Sequence, residues 1–442
     1  MIEYTGKYTT AKVMIDQIDE ETARQINTFI NHPVFTNPVA IMPDCHAGKG
    51  SVIGFTMEMT DKIIPNTIGV DIGCGMLAVN IGKFPEFDPY DADKIIRTLI
   101  PFGFDVYNKK PAMNMQRQFN WKHVSERNRL FCLRFNERFD AKMTPTEYDY
   151  DGFLLKCKEI DMNAKRANNS IGTFGGGNHF IEIGKDQNDD MWLTIHTGSR
   201  QLGERICRYW QRSKANFSHQ IAKVKFEIEL AKIKDTYTSK ADRKKISGLI
   251  KEAKEQLGLD RPVKLKELDW IEDVAMHGYL TDMIFAQAYA STNRWTIMDR
   301  IVKNLPGAEL SGDIIETVHN YIDFDDFIIR KGAIASYEGR YMIIPFNMED
   351  GILICEGKSN PEWNYSAPHG AGRVLSRSQA KKKYNSTLSS VEERMANGGI
   401  YSSVVPVDEI KEAYKDPKII EEAIGPTAKI LNRIKPILNL KA

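Results

Sequence analysis

Cysteine is scarce in this sequence, and the few cysteines are far apart. Six cysteines are spread over 442 residues without a CxxC motif. We therefore expect no disulfide framework, and we expect the protein to reside in a reducing compartment. The sequence also lacks a basic and then apolar N-terminal segment, and no apolar run approaches the roughly 18 residues of a membrane span. We therefore expect a cytoplasmic protein with no signal peptide and no contact with a membrane.

Net charge is almost absent as well. Lys and Arg total 60 against 59 Asp and Glu, which gives a net charge of +1. Bulk electrostatics therefore favours no class of partner, and a nucleic acid would have to bind a local basic patch. The apolar fraction of 42% is ordinary for a globular protein, and the chain is long enough to bury a large core.

Hydrophobic periodicity predicts a mixture of helices and strands. Helices are predicted at residues 19–31, 91–99, 117–139, 147–168 and 271–305, and at the C-terminal end of the chain. Strands are predicted at residues 39–42, 51–59, 77–81, 180–183, 192–195, 341–344 and 351–355. The first of these strands should stop at Pro43, because proline cannot donate to a strand ladder.

One segment differs in composition from its surroundings. Between residues 211 and 262, Lys and Glu alternate with Ile, Val, Phe and Leu at helical spacing, and Asp260-Arg261-Pro262 closes the segment. This pattern predicts two long antiparallel helices that form an insertion in the main body. A solvated coiled-coil arm explains the pattern, and a basic arm that contacts RNA is the alternative.

Side chains able to bind a metal lie at the ends of several predicted strands. They are one carboxylate, one thiol and three imidazoles: Asp71, Cys74, His179, His196 and His319. Each alone fits a structural role, such as a turn contact for Asp71 or a small buried residue at Cys74. Together they suit a first-row divalent ion, the carboxylate favouring Mn²⁺ and the thiolate Zn²⁺. Because five ligands exceed a closed tetrahedral zinc site, either one open catalytic ion or two ions roughly 3.5–4 Å apart would fit.

One further histidine lies in a loop of small residues near the C-terminal end. His369 stands between Pro368 and the run Gly370-Ala371-Gly372, and Arg373 and Arg377 follow. Small residues let backbone N–H groups approach an anion, and arginines bind phosphate oxygens in a forked geometry. The histidine itself could be a base, an acid, a ligand or a nucleophile.

The loops that carry these residues resemble those of a known family. They are PDCHAGKG at 43–50, GVDIGCG at 69–75, GGGNHF at 175–180, HTGSR at 196–200, HN at 319–320 and PHGAGR at 368–373. All six occur in the order seen in the RtcB family of GTP-dependent RNA ligases. The resemblance runs from about Asn37 to Lys441, and six ordered motifs make it far more specific than any one of them.

The resemblance implies a fold, an activity and partners. The fold would be the α/β architecture of the RtcB type, one large catalytic domain over residues 1–442 with the helical hairpin inserted at residues 211–262. The activity would be to join an RNA 3′-phosphate or 2′,3′-cyclic phosphate to an RNA 5′-hydroxyl, in tRNA splicing or RNA repair. GTP and two Mn²⁺ ions would be required. Some relatives also use a small activator called archease, and we expect a monomer.

The resemblance further implies a role for individual residues. His369 would attack the α-phosphate of GTP and become guanylylated. The two ions would be held by Asp71, Cys74, His179, His196 and His319. Nucleotide contacts are implied for Asn178, Glu182, Asn320, Pro345, Asn347, Met348, Gly370, Ala371, Gly372, Tyr414 and Lys441. Contacts with RNA phosphates or the triphosphate are implied for Arg200, Arg373 and Arg377.

One loop departs from the commonest family pattern. Many members carry Pro-Gly-Ser-Met where this sequence has Pro345-Phe346-Asn347-Met348. The departure motivates a second hypothesis, a metal-dependent phosphoesterase or cyclic phosphodiesterase that acts on RNA ends without a covalent intermediate. A third hypothesis is a non-catalytic RNA-binding or nucleotide-binding module.

Overall fold

Two β-sheets lie at the centre of the protein, flanked by helices. The computed structural model describes residues 1–84, 86–108, 110–237, 243–260 and 266–442. The strands are β1 (Ile2–Thr5), β2 (Thr10–Val13), β3 (Val39–His46), β4 (Ile53–Glu58), β5 (Lys62–Ile63), β6 (Gly75–Asn80), β7 (Phe180–Lys185), β8 (Met191–Thr197), β9 (Ile271–Glu272), β10 (Ile314–Val318), β11 (Asn320–Ile322), β12 (Ile328–Lys331), β13 (Ala333–Ala335), β14 (Tyr341–Pro345), β15 (Ile352–Gly357), β16 (Ser366–Pro368) and β17 (Ala428–Leu440). The α-helices are α1 (Glu20–Ile30), α2 (Pro89–Leu99), α3 (Met115–Gln118), α4 (Trp121–Phe139), α5 (Tyr150–Glu159), α6 (Ala164–Ser170), α7 (Arg200–Thr236), α8 (Arg243–Gln256), α9 (Asp273–Asn304), α10 (Arg377–Tyr384), α11 (Leu388–Asn397) and α12 (Pro417–Ala423).

The two large sheets have six and seven strands. Their strand orders are β1-β2-β3-β4-β12-β11 and β10-β6-β8-β7-β17-β15-β14. Small two-stranded sheets join β13 to β16 and β5 to β9. Helices and sheets are mixed along the chain, which confirms the predicted fold class.

The seven-stranded sheet brings the predicted ligand loops to one end. Val318 at the end of β10 pairs with Gly75 at the start of β6, and Gly75 pairs with Thr197 at the end of β8. Phe180 at the start of β7 pairs with His196 in β8. Because these pairs are antiparallel, the beginnings of β6 and β7 and the ends of β8 and β10 lie side by side. The loops attached there carry the predicted ligands.

The long helix α9 holds this end of the sheet in place. Its first half contributes Met283 to one hydrophobic core, and its second half contributes Ile297 to another core beneath the seven-stranded sheet. Between the two cores, the fully buried Arg294 donates to the carbonyl oxygens of Gly73 and Thr197, each at 2.9 Å. One guanidinium therefore ties two ligand loops together, since buried carbonyl groups need donors.

Helices α7 and α8 form a helical hairpin. Nζ of Lys245 lies 4.8 Å from the ring centroid of Tyr237, and Nζ of Lys254 lies 5.5 Å from that of Phe226. These contacts show that α8 returns antiparallel along α7. The first helix begins at Arg200 rather than near residue 211, and the predicted closing residues Arg261 and Pro262 lie outside the described part of the chain. That the hairpin is an insertion in one catalytic domain, and whether its arm meets RNA, stay predictions.

The C-terminal segment corrects one prediction. It is the 13-residue strand β17 between β7 and β15, not a helix. Ile434 and Leu438 are both fully buried, and their spacing of four residues is typical of a helix. A register shift between Pro436 and Leu438 accommodates the proline, as bulges do within sheets.

Two further segments differ from their predictions. Strand β3 runs through Pro43 to His46, because a register shift between Ile41 and His46 removes the regular ladder at the proline. The predicted helix at 147–168 is two helices, α5 and α6. In the described part of the chain, no helix is both long and apolar enough to cross a membrane.

Candidate active site

A cavity of about 340 Å³ opens where the two large sheets and the C-terminal loops meet. Almost all of the side chains singled out in the sequence line its wall. They include Asp71, Cys74, His196, His319, His369, Asn178, Glu182, Asn320, Pro345, Asn347, Met348, Gly370, Ala371, Gly372, Arg373, Arg377, Tyr414 and Lys441. His179 lies directly behind this wall, whereas Arg200 is turned away from it.

Five of the lining or adjacent side chains form two overlapping triads. Asp71, Cys74 and His179 make one triad, and Cys74, His196 and His319 make the other, with all potential ligand atoms of a triad within 4.8 Å of one another. Sγ of Cys74 lies 3.6 Å from Nε2 of His179 and 3.5 Å from Nε2 of His196. Cys74 belongs to both triads, so the arrangement offers two neighbouring sites that share one sulfur.

The protonation of these groups fits divalent metal ions. Burial lowers the pKa of His196 and His319 well below the ordinary value, so both imidazoles are neutral and keep a lone pair for a metal. Burial also raises the pKa of the Cys74 thiol, and the nearby carboxylate of Asp71 adds to that effect. A bound divalent ion would reverse this by replacing the thiol proton. The donor set of carboxylate, thiolate and imidazoles therefore suits a first-row transition metal.

Ser199 holds the carboxylate of Asp71 in place through two hydrogen bonds. Its Oδ1 accepts the Ser199 backbone N–H at 3.0 Å and the Ser199 hydroxyl at 3.1 Å. Burial would raise the pKa of Asp71, but hydrogen bonding and charge from His179, together with Arg200, hold the pKa below its ordinary value. A side chain at Gly198 would collide with this carboxylate. The glycine in the HTGSR loop therefore leaves room for a ligand from a different loop.

His369 lies beside the second triad and is oriented by a carboxylate. Its Nδ1 is 2.7 Å from Oδ2 of Asp44, and its backbone N–H donates to the same oxygen at 3.2 Å. A carboxylate only accepts, so Nδ1 is the protonated nitrogen, and in a neutral imidazole Nε2 then has the lone pair. The ring centroid of His369 is 4.7 Å from that of His319. This geometry suits a nucleophile or base next to a metal centre.

Asp44 is a candidate site residue to which the sequence motifs assign no role. It is fully buried in β3, in the PDCHAGKG loop motif. The signal was present in the acidic residue of the PDCH run, but nothing in the sequence showed that β3 passes beneath a loop more than 300 residues later. A side chain at Gly372, where φ is +74°, would collide with the backbone of Asp44. That contact explains one glycine of the His369 loop.

A second wall of the cavity combines a buried acid with a cation. Glu182 is 2% exposed and accepts a hydrogen bond from Nδ2 of Asn439 at 2.8 Å. Its other oxygen has no hydrogen-bond partner among the described residues. Burial raises the pKa of Glu182 to about 8. Nζ of Lys441 donates to the carbonyl oxygen of Asn178 at 3.3 Å and lies 2.9 Å from Oε2 of Glu409.

The loop that departs from the family pattern is largely occupied with its own packing. Phe346 is 4% exposed and packs in a small hydrophobic cluster with Tyr414 at its edge. The side chain of Asn347 accepts the backbone N–H groups of Glu349 and Asp350 and donates to the Asp350 carboxylate at 2.6 Å. The bulky residue therefore extends the core as well as the cavity wall, and the asparagine closes a turn.

The three predicted phosphate-binding arginines do not all meet. Arg373 and Arg377 line the cavity. Arg200 instead donates to Oγ1 of Thr173 at 3.1 Å and to the carbonyl oxygen of Gly103 at 2.8 Å. Its guanidinium therefore supports the loops behind the metal triads, and its predicted contact with RNA has no counterpart in the cavity wall.

Comparison with known proteins agrees with this arrangement. The family model described as tRNA-splicing ligase RtcB matches residues 25–442. The RNA-splicing ligase RtcB of Escherichia coli strain K12 is 28% identical over 96% of this chain and 95% of its own length. The tRNA-splicing ligase RtcB of Methanococcus maripaludis is 24% identical over 93% of this chain and 89% of its own. With a match over nearly its whole length and the ordered site loops in one cavity, the chain belongs to the RtcB family of RNA ligases.

Proposed function

We propose that this protein joins RNA 3′-phosphate or 2′,3′-cyclic phosphate ends to 5′-hydroxyl ends, using GTP, two Mn²⁺ ions and a guanylylated His369. The observation that carries the proposal is the placement of His369. Its Nδ1 is bonded to Asp44, and its ring lies 4.7 Å from the ring of His319 in the second triad. A nucleophile with a fixed tautomer, set beside two metal sites, is the arrangement that phosphoryl transfer needs.

The two triads would hold the metal ions. Asp71, Cys74 and His179 would hold one ion, and Cys74, His196 and His319 would hold the other, so Cys74 would serve both. Bound ions would neutralise phosphate charge and orient the phosphates. The carboxylate favours Mn²⁺ over a softer metal at the first site.

In the first step, Nε2 of His369 attacks the α-phosphorus of GTP. A P–N bond forms, the bond from the α-phosphorus to the bridging oxygen breaks, and pyrophosphate leaves. Asp44 keeps Nδ1 protonated throughout, so the positive charge that develops on the ring faces a carboxylate at 2.7 Å. The backbone of residues 370–372 and the cations Arg373 and Lys441 line the cavity, and they would contact the phosphates.

The next two steps involve the RNA ends. An oxygen of the RNA 3′-phosphate attacks the phosphorus of the adduct, the P–N bond breaks, and His369 is restored as RNA-ppG forms. The RNA 5′-hydroxyl then attacks the RNA 3′-phosphorus, loses its proton and displaces GMP. A cyclic phosphate end is first opened by water. Each step transfers a phosphoryl centre by displacement, so positioning and charge neutralisation carry the catalysis.

The remaining lining residues would hold the nucleotide and the RNA. Asn178, Glu182 and Asn320 would contact GTP, and Tyr414 would lie against the guanine. The 345–348 loop would contribute Pro345, Asn347 and Met348. Arg373 and Arg377 would meet phosphates of the triphosphate or the RNA, and Arg200 would act on RNA only through the loops that it supports. The supporting observation is that all of them except Arg200 line one cavity.

A joining assay tests the proposed reaction. An RNA with a 3′-phosphate and a second RNA with a 5′-hydroxyl are incubated with the protein, GTP and Mn²⁺. We expect a joined product that requires both GTP and Mn²⁺ and whose yield falls with added salt, because phosphate contacts supply RNA affinity. Removal of the end phosphate without GTP, and no joined product, would instead support a phosphoesterase.

The partners and setting of the reaction are part of the same proposal. The substrate would be the separate exons of a transfer RNA or the ends of a broken RNA, and the protein would act in the cytoplasm as a monomer, with or without archease. One catalytic domain would span residues 1–442, with the hairpin at residues 211–262 as its insertion. Ligation by the purified chain at dilutions that separate any oligomer, with and without added archease, would measure both requirements.

A further inference from the structure

Glu409 lies at the floor of the cavity. It is the last residue of a short 3-10 helix, Val407–Glu409, and only 2% of its surface is exposed. A buried carboxylate is costly unless charged or hydrogen-bonding partners compensate for its desolvation. Its partners therefore indicate what it is for.

Four side chains donate to this one carboxylate. Oε2 accepts the Tyr414 hydroxyl at 2.8 Å and lies 2.9 Å from Nζ of Lys441. Oε1 lies 3.2 Å from Nη1 of Arg373 and 2.8 Å from Nη2 of Arg377. All four donors line the cavity. A carboxylate offers about four acceptor positions, so these donors leave Glu409 little capacity to bind a ligand directly.

Glu409 places one negative charge among three cations, Arg373, Arg377 and Lys441. Burial would raise the pKa of Glu409, but Lys441 and Arg377 outweigh burial and hold the pKa below its ordinary value. The adjacent Asp408 adds a second acceptor, with Oδ2 2.7 Å from Nη1 of Arg377. Without Glu409, Asp408 would be the remaining carboxylate beside three cations, and their mutual repulsion would move their side chains apart.

We propose that Glu409 is a positioning residue for the nucleotide, which holds its four donors in the arrangement that receives the base and the phosphates. Tyr414 would then present its ring to the base, and the cations their N–H groups to phosphate oxygens. The inference rests on the proposed use of GTP. It goes further because it assigns the positions of these four donor side chains to one carboxylate, which need not touch the nucleotide itself.

The test is the dissociation constant for GTP with Mn²⁺ present, measured by calorimetry. All proteins carry His369→Asn, so that bound GTP is not consumed. Glu409→Gln keeps the shape of the side chain, removes its charge and turns an amide N–H₂ toward the cations. We expect GTP to bind at least tenfold more weakly, with the number of bound Mn²⁺ ions unchanged.

Two further variants separate positioning from folding. Asp323→Asn removes another buried carboxylate, which pairs with Arg330 at 3.0 Å outside the cavity wall, and should lower the melting temperature without weakening GTP binding. Glu409→Asp keeps the charge and should bind GTP more tightly than Glu409→Gln does. This variant keeps the test informative even if Glu409→Gln folds poorly. With His369 intact, Glu409→Gln should raise the GTP concentration that half-saturates labelling more than it lowers the rate at saturating GTP.

The outcomes also separate this inference from the proposed function. GTP binding by Glu409→Gln within twofold of its parent overturns the positioning role, as does an equal loss in Asp323→Asn. If GTP binds but never labels His369, the covalent chemistry fails and the affinity ratio still decides the role of Glu409. If GTP binds neither the His369→Asn parent nor its Glu409→Gln variant, both proposals fail.

Discussion

The contact between Asp44 and His369 determines which nitrogen of the imidazole can react. A neutral imidazole has one protonated nitrogen and one lone pair, and a hydrogen bond fixes which is which. Asp44 accepts from Nδ1 at 2.7 Å and from the backbone N–H of His369 at 3.2 Å, so it fixes both the tautomer and the ring orientation. In the proposed reaction, the nitrogen left to attack phosphorus is therefore Nε2.

Asp44→Asn should therefore slow labelling of His369 by GTP far more than it destabilises the fold. The amide can donate to Nδ1 and thereby favour the wrong tautomer, and comparable changes in catalytic Asp–His pairs cost about 10⁴-fold in rate. We expect a loss of at least ~10²-fold in the single-turnover labelling rate. Asp282→Asn is the matched control, since Asp282 is a buried carboxylate bonded to Trp210 outside this cavity. Equal labelling rates in Asp44→Asn and the wild type would contradict the orienting role.

Glu182 should make stability depend on pH. Burial raises its folded pKa to about 8 from 4.5, so between these values the folded protein binds a proton that the unfolded chain does not. Its contribution is therefore fully present below pH 4.5 and is lost as the pH rises through about 8. The change is on the order of a few kcal/mol.

Glu182→Gln cannot titrate and should lack this dependence. Melting temperatures of the metal-free proteins at pH 5, 7 and 9 measure it. The melting temperature of the variant relative to that of the wild type should increase with each rise in pH. A difference between the two proteins that stays constant across this range would show that Glu182 does not titrate as described.

At the scale of elements, the site is formed where strands end together. The ligand loops are attached to β6, β7, β8 and β10 at one end of the seven-stranded sheet, and Arg294 in α9 ties two of them. The sequence predicted most of these strands, because their apolar runs end at polar, glycine-rich loops. It could not predict their order in the sheet, since pairing depends on contacts between distant segments.

The C-terminal strand shows where periodicity misleads. Ile434 and Leu438 have the four-residue spacing of a helix face, and Pro436 is unusual in a central strand. A register shift beside the proline and pairing with β7 and β15 override the local pattern. Likewise, the role of Asp44 depends on β3 passing beneath the His369 loop, which no local pattern reveals. Residue types for the site could thus be read from the sequence, but their mutual contacts could not.

Burial in β17 predicts a contrast between two leucines. Leu438 is fully buried, whereas Leu431 in the same strand is 37% exposed. Leu438→Ala should destabilise the protein by about 2–5 kcal/mol, since it leaves a cavity in the core. Leu431→Ala should cost roughly 0.5 kcal/mol or less. Denaturant unfolding measures both, and similar losses in the two variants would contradict the placement of β17 in the sheet.

At the scale of the whole molecule, the proposed metal centre joins segments that are far apart in the chain. Its candidate ligands run from Asp71 to His319, and Cys74 belongs to both triads. Ions that bind the folded protein but not the unfolded chain stabilise the folded state by mass action. Metal binding should therefore stabilise the large domain as a unit.

Metal titration of variants tests the shared ligand. The wild type should bind two Mn²⁺ ions and melt at a higher temperature with Mn²⁺ than with a chelator. His319→Ala should retain one ion, in the triad of Asp71, Cys74 and His179, whereas Cys74→Ala should weaken both sites. Cys132→Ala, which changes a buried cysteine in α4, should behave as the wild type. Two tightly bound ions in Cys74→Ala would rule out the shared sulfur.

The most direct measurement is covalent transfer from GTP to His369. The protein is incubated with α-labelled GTP and Mn²⁺, denatured and separated from free nucleotide. The predicted result is label that stays on the wild type, is lost in acid as a P–N bond requires, and is absent from His369→Ala. Wild-type protein that joins RNA ends without ever retaining label, or label that persists in His369→Ala, would contradict His369 as the nucleophile.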